Sequence, residues 1–135
     1  MGLSIREIRA YARKLYDEKG KYNTFVFLAL DEKFLQPLRP KMFRLGELLG
    51  LHSTINGWRF IRGLETMSVR EIKVLMRRKR NKKLFLKRLR RAVNLHLRFY
   101  KILYAIQDIP WKESRKDQSV QNILKIKRWL EKQKI

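Results

Sequence analysis

From Ser68 onward the chain has no glycine or proline until Pro110. Ser68-Val69-Arg70-Glu71 has the form of a capping box, a hydroxyl at the N-cap and a glutamate three residues later. A helical reading runs from Val69 to about Gln107, roughly 60 Å if unbroken at 1.5 Å per residue. The pattern also permits a break near Asn81. Inside this stretch lies Arg77-Arg78-Lys79-Arg80-Asn81-Lys82-Lys83, continued by Lys87, Arg88, Arg90 and Arg91. Ten of the fifteen residues from 77 to 91 are basic and none is acidic, so nothing within the run offsets its repulsion. A solvated helix face ordinarily carries acids at i±4. Here Glu71 and Asp108 are the only acids between residues 69 and 108. A helix of this kind needs an apolar side to bury and a polyanion to face.

The helical angles divide the rod into stripes. At 100° per residue, Leu86, Leu89, Val93, Leu97, Tyr100 and Tyr104 share one face, and Leu84, Leu95, Ile102 and Ile106 form a second apolar stripe roughly opposite. Lys73, Arg80, Lys87, Arg91 and Arg98 fall together between them as a cationic seam. A helix apolar on two sides is sandwiched. Either a second subunit or further helices of the same chain can cover the second side. The reading takes Lys73, Arg77, Arg80, Lys83, Lys87, Arg91 and Arg98 as the nucleic-acid-binding residues of this rod.

The whole chain supports that reading. Its 135 residues carry 34 Lys and Arg against 12 Asp and Glu, a net charge of +22. Residues 1–67 contribute +5 and residues 68–135 contribute +17. Repulsion of that size disfavours a compact chain unless a polyanion relieves it, and nucleic acid is the simplest one. An anionic membrane surface comes after it. Half of the cations are arginine (17 of 34), whose planar fork suits phosphate oxygens. Apolar residues make up 44%, enough for a core. The absence of cysteine excludes disulfide scaffolds, thiolate metal sites and cysteine nucleophiles. The longest apolar run, Phe25 to Leu30, is far short of the ~20 residues that span a bilayer, so no transmembrane segment is expected.

The remaining segments also read as helices, and the chain as one all-α domain over 1–135, with helices and an arm over 1–66 and the basic rod plus a last helix over 67–135. Ser4-Ile5-Arg6-Glu7 is a first capping box, opening a helix at about 5–18 with Ile5, Ile8, Ala12 and Leu15 on one face and Arg6, Arg9 and Arg13 on another. These three arginines are further candidates for phosphate contact. Asn23 or Thr24 caps a second helix to about Gln36. Its apolar start, Phe25 to Leu30, is expected to be central; a strand is the less favoured alternative. Pro40 opens a third helix that ends at Gly50. A short helix over about Thr54–Leu64 follows. Asp117 or Ser119 caps the last helix, whose buried face carries Val120, Ile123, Leu124 and Leu130.

Gly46, Gly50 and the intervening residues are spaced like the turn of a helix-turn-helix motif, in which the helix after the turn reads bases. The apolar position six after Gly50 is Asn56, one residue late relative to Ile55. A sequence-reading role would place Thr54, Asn56, Trp58 and Arg59 near base edges; otherwise the segment is an ordinary helical hairpin. Most aromatics fall on apolar faces and read as packing, with Trp58 the exception. No Gly-rich phosphate loop, nucleophile–base set or His/acid metal cluster is visible, so catalysis, metal binding and a cofactor are not expected. Asp17-Glu18 and Asp31-Glu32 read as solubilising acids, and His52 as a turn residue.

A small, cysteine-free, strongly basic, all-helical chain with surplus apolar faces resembles the major capsid proteins of rod-shaped and filamentous viruses of hyperthermophilic archaea. The resemblance lies in overall build. It implies a helical bundle with one long basic helix and an N-terminal helix-turn-helix arm, in a virion coat that assembles in the host cytoplasm. Paired subunits, identical or paralogous, would wrap double-stranded DNA in a helical filament, with the Arg6/Arg9/Arg13 face and the Lys73-to-Arg98 stripe toward the DNA. Packaging must be blind to sequence, so phosphate contacts should dominate. The alternatives are a helix-turn-helix transcriptional regulator and a ribosomal or other RNA-bound structural protein.

Overall fold

A computed structural model describes residues 2–133; of the span 1–135, Met1, Lys134 and Ile135 lie outside the described residues. Six α-helices and one two-stranded hairpin follow in the order α1 (Ile5–Lys19), α2 (Thr24–Leu30), α3 (Arg39–Leu49), β1 (His52–Ile55), β2 (Trp58–Ile61), α4 (Val69–Arg77), α5 (Lys82–Ile106) and α6 (Gln118–Glu131). The expected helical bundle is therefore present, built around one long basic helix.

The helix starts follow from local chemistry. Ser4 Oγ accepts the Glu7 amide at 3.1 Å while the Glu7 carboxylate accepts the Ser4 amide, so α1 opens with both halves of its capping box. Ser68 and Glu71 do the same for α4. Asn23, Asn81 and Asp117 each turn a side-chain oxygen onto the first free amides of α2, α5 and α6. Asn81 lies in extended backbone, so the basic stretch divides there: α4 ends at Arg77, and α5 starts afresh at Lys82. Between α2 and α3 the chain stays wound, through a π turn over Asp31–Leu35 and a 3₁₀ turn over Gln36–Leu38 that absorbs Pro37. Gly50 ends α3 in the left-handed conformation, φ 79°.

The segment after Gly50 departs from the expected helix over 54–64. It is an antiparallel hairpin in register His52↔Ile61, Ser53↔Phe60, Thr54↔Arg59 and Ile55↔Trp58. Asn56 and Gly57 form its two-residue turn at φ 53° and 81°, the pair of positive φ values that a type I′ turn requires. Thr54, Ile55, Trp58, Phe60 and Ile61 are β-branched or aromatic and suit strands better than a helix. The helix-turn-helix arm is thus absent: the recognition helix that would carry Thr54, Asn56, Trp58 and Arg59 does not form. Gly46 serves a different purpose. It is buried on α3, where a Cβ would overlap Ile61 Cγ2, so its lack of a side chain lets the hairpin lie down on the helix.

α5 is the axis of the bundle. Along its first half Phe85, Leu86, Leu89, Ala92, Val93 and Leu97 pack with Leu49, Leu64 and Ile72 and with Ile123, Ile126 and Leu130 of α6. Along its second half Ile102, Ala105 and Ile106 pack with Ile8, Ala12 and Tyr16 of α1, with Val26 and Leu30 of α2, and with Leu35. The chain's own helices therefore cover the first apolar stripe of the rod and the Ile102 and Ile106 end of the second, while Leu84 stays exposed and Leu95 half-buried. Residues 1–66 and 67–135 share α5 as a common core. The run from Phe25 to Leu30 is not central as expected. Val26 and Leu30 are buried, but Phe25 is 81% exposed and Leu28 faces outward with it, because α2 lies at the bundle edge and buries one side only. No helix among the described residues is long and apolar enough to cross a membrane.

Candidate nucleic-acid interface

The one side of α5 that no neighbour covers is cationic. Lys83, Lys87, Arg90, Arg91, Arg98 and Lys101 are all exposed. At 100° per residue they occupy an arc of about 100° around the helix. Lys83 and Lys101 are ~27 Å apart along the axis at 1.5 Å per residue. Asn94 is the one uncharged member of the strip between Arg91 and Arg98. The ion pairs among the described residues involve none of these six side chains. Arg98 donates one guanidinium bond to the Leu3 carbonyl at 3.2 Å, which places the start of α1 beside the strip and leaves the charge uncompensated.

Such a face is costly in isolation. Lys83–Lys87 and Lys87–Arg91 are like-charge pairs at i,i+4, each unfavourable by ~0.2–0.5 kcal/mol. Burial decides the balance. Each fully buried Leu, Ile, Val or Phe contributes ~1.5–3 kcal/mol, and Phe85, Leu89, Val93, Ile102 and Ile106 are all buried on the other sides of the same helix. The fold therefore tolerates the repulsion without needing it. Apart from the Arg98 bond to Leu3 and Lys101, whose ammonium lies 5.8 Å from the centre of the Trp111 ring, these cations make no hydrogen bond or ion pair within the folded chain among the described residues.

The strip continues into the turn between α4 and α5. Arg77, Arg78, Arg80 and Lys82 are exposed there, around the N-terminus of α5, whose aligned peptide dipoles add positive potential. Lys79 is partly folded back, its ammonium 5.9 Å from the centre of the Phe85 ring. Lys73 is exposed on α4, but the break at Asn81 takes it off the axis that carries Lys87, Arg91 and Arg98. The single seam from Lys73 to Arg98 is therefore two surfaces, one on α4 and the turn, one on α5. Arg90 and Lys101 belong to the second surface and were not among the expected contact residues. Helical angles measured from Lys83, with the helix started at the Asn81 cap, find both.

The arginines of α1 do not act together. Arg6 is exposed. Arg13 meets Asp108 with two bonds, at 3.1 and 2.9 Å, and Arg9 reaches the same carboxylate at 3.4 Å and the Ile109 carbonyl at 2.7 Å. Bonded first by Arg13 and then by Arg9, the Asp108 carboxyl is held below the usual range. Asp108 itself sits at φ 55°, just beyond the end of α5. Arg9 and Arg13 are thus a clamp that ties α1 to the end of α5, and are occupied where the sequence pattern offers them as phosphate donors. The nearest free cation of that trio is Arg6.

Buried polar groups elsewhere serve the fold. His96 lies inside the bundle and donates its Nδ1 proton to the Ala92 carbonyl at 2.8 Å, with Nε2 3.8 Å from the Glu65 carboxylate. Burial holds its pKa below the usual value. Tyr104 donates to Asp117 at 2.8 Å, and burial with that bond pushes its phenol up to about 12. No group of three or more His, Asp or Glu side chains that could hold a metal ion occurs among the described residues.

Comparison with known protein families, with curated proteins and with solved structures returns no match. The functional reading therefore rests on the residues themselves.

Proposed function

We propose that this protein is a structural nucleic-acid-binding protein that coats double-stranded DNA without sequence specificity, as a subunit of a helical nucleoprotein filament of the kind found in rod-shaped virions. One observation carries the proposal: six exposed cations on one face of a rigid, 25-residue helix, with no acid on that face. Phosphates along one strand of a duplex repeat every ~3.4 Å. Six cations over ~27 Å thus approach the density of that repeat, and a rigid rod holds them in line without an ordering cost at binding.

The contacts are of the backbone type. The face offers ammonium and guanidinium groups and one asparagine, a set that engages phosphate oxygens and discriminates little among bases. Modest binding per subunit is sufficient for a coat, because contacts between neighbours multiply along the duplex. Apolar side chains left uncovered at the edge of α2, Tyr22, Phe25 and Leu28, support such neighbour contacts.

Two experiments test this reading together. Selection from a random duplex pool is expected to enrich no motif; a single enriched motif would mark a sequence reader and refute the coat. Imaging of the protein with long DNA is expected to show regular filaments. Isolated particles, or preference for structured RNA in direct competition with duplex DNA, would contradict the proposal.

A further inference from the structure

The β1–β2 hairpin carries an apolar face that nothing in the chain covers. Ile55 and Trp58 stand opposite each other at its tip, 58% and 79% exposed, on either side of Asn56-Gly57. Phe60, paired with Ser53, continues the same face toward the root. We infer that this hairpin is a second contact with the nucleic acid, entering a groove of the duplex and setting Ile55 and Trp58 against the bases. The inference rests on the duplex-binding reading above and adds to it a contact that is not to phosphate.

The hairpin is built to present its tip. The Arg62 amide donates to the Leu51 carbonyl at 2.7 Å, closing the root. The Arg62 guanidinium bonds the Glu71 carboxylate and the Thr66 carbonyl, tying that root to the start of α4. Ile61 lies over Gly46 on the other face of the ribbon. The anchored root holds the strands, and the two-residue turn leaves the tip little freedom to fold back. Exposed Ile and Trp side chains held out in this way are costly in water and find no partner in the chain.

The charge around them selects the partner. No acid occurs from Leu48 to Leu64, and Arg59 is exposed beside the tip; Arg62 is paired with Glu71 at the root, and Glu47 borders the hollow beside Arg59 and Phe60. The Lys79 ammonium lies 3.1 Å from where a side chain on Gly50 would begin, so the hairpin root adjoins the basic turn between α4 and α5. A second copy seated hairpin to hairpin would set Arg59 and the basic turn against their own like charges. Three apolar side chains on a ribbon two strands wide also fall well short of the ~800 Å² per partner of a standard interface. A duplex groove matches on each count. It admits a two-stranded ribbon, its phosphate rims meet Arg59 and the basic turn, and its floor offers base edges. Apolar side chains wedged at a base step partly unstack it and bend the duplex, which brings more backbone to the protein.

The test uses the full chain and a 20-base-pair duplex labelled at both ends. In a variant carrying Trp111→Phe and Trp129→Phe, Trp58 is the sole indole, and its fluorescence is expected to be quenched on duplex addition. Trp58→Ala is expected to bind about 5- to 150-fold more weakly at fixed salt, the range for losing one base–aromatic contact. Its dependence on salt should match the wild type, because no phosphate contact is lost, and the end-to-end energy transfer that reports bending should fall. Wild-type binding with a steep salt dependence, together with unquenched Trp58 and unchanged Trp58→Ala affinity, would overturn the hairpin contact alone. Self-association without DNA that Trp58→Ala abolishes would overturn it in favour of a second copy. A wild-type chain that ignores the duplex in dilute buffer would overturn both this inference and the proposed function.

Discussion

Replacing Lys83, Lys87 and Arg91 together by glutamine separates the two uses a charged helix face can have. The three stand on successive turns of α5, are exposed, and join no ion pair among the described residues. Glutamine keeps a high helix propensity. The substitution removes two like-charge i,i+4 contacts, each unfavourable by ~0.2–0.5 kcal/mol. The folded chain should therefore be unchanged or up to ~1 kcal/mol more stable. Binding should move the other way. Each phosphate contact contributes a slope of ~0.9 to the dependence of log K on log salt. Three lost contacts lower that slope by ~2.7, and at 0.1 M salt they weaken binding by roughly 500-fold relative to an unchanged value at 1 M. Fluorescence anisotropy of a labelled duplex over a salt series measures slope and affinity at once, with thermal melting as the companion. An unchanged slope in a well-folded variant would refute the claim that this face meets phosphate. A loss of stability with binding intact would show the cations to be structural.

Asp108→Asn keeps a residue that tolerates the positive φ but removes the charge that Arg9 and Arg13 hold. Charged hydrogen bonds are worth ~1.5–3 kcal/mol; Arg13 is 60% exposed, so the expected loss is about 1–2 kcal/mol, read as a lowered melting temperature with duplex affinity preserved. Stability should also fall with acid in two stages. His96 has a folded pKa depressed by burial, so its contribution is present above its ordinary 6.5 and is lost as pH falls through the lowered value. Asp108 and Glu71, depressed by Arg13 and Arg62, keep theirs above the ordinary 3.8 and 4.5 and lose it as pH falls through the lowered folded values. Chemical denaturation across pH 7 to 2 checks both; stability that is flat through this range would contradict the assignment. Gly46→Ala places a methyl group on Ile61 and should cost ~1–3 kcal/mol by overpacking, with the hairpin more readily cleaved by protease than in the parent chain.

Local chemistry was legible in the sequence and distant pairing was not. The capping boxes at Ser4 and Ser68 and the Gly50 stop each depend on residues within four positions of one another, and each stands where the pattern puts it, whereas the pattern left open whether the rod breaks at Asn81. The hairpin also had a local signal, Asn56-Gly57 between Ile55 and Trp58. The spacing of Gly46 and Gly50 imitates a helix-turn-helix turn and competes with that signal, although Gly46 is small to admit Ile61. The clamp was out of reach of periodicity. Arg9 and Arg13 share a helical face with Arg6, and only the approach of Asp108, about a hundred positions away, distinguishes them. Phe25 and Leu28 read as core by composition, but which side of α2 is buried depends on how α1 and α5 pack against it. The cationic face was legible in outline, with Arg90 and Lys101 recovered once the helix start is placed at Lys82.

Lysine reactivity toward an acylating reagent, mapped by mass spectrometry with and without saturating duplex, tests the central claim at the residues that carry it. The account predicts that Lys83, Lys87 and Lys101 lose reactivity together when the duplex is bound, in low salt, and regain it when salt releases the DNA. Full reactivity at all three while the duplex is demonstrably bound would contradict it, and would move the nucleic-acid contact off α5.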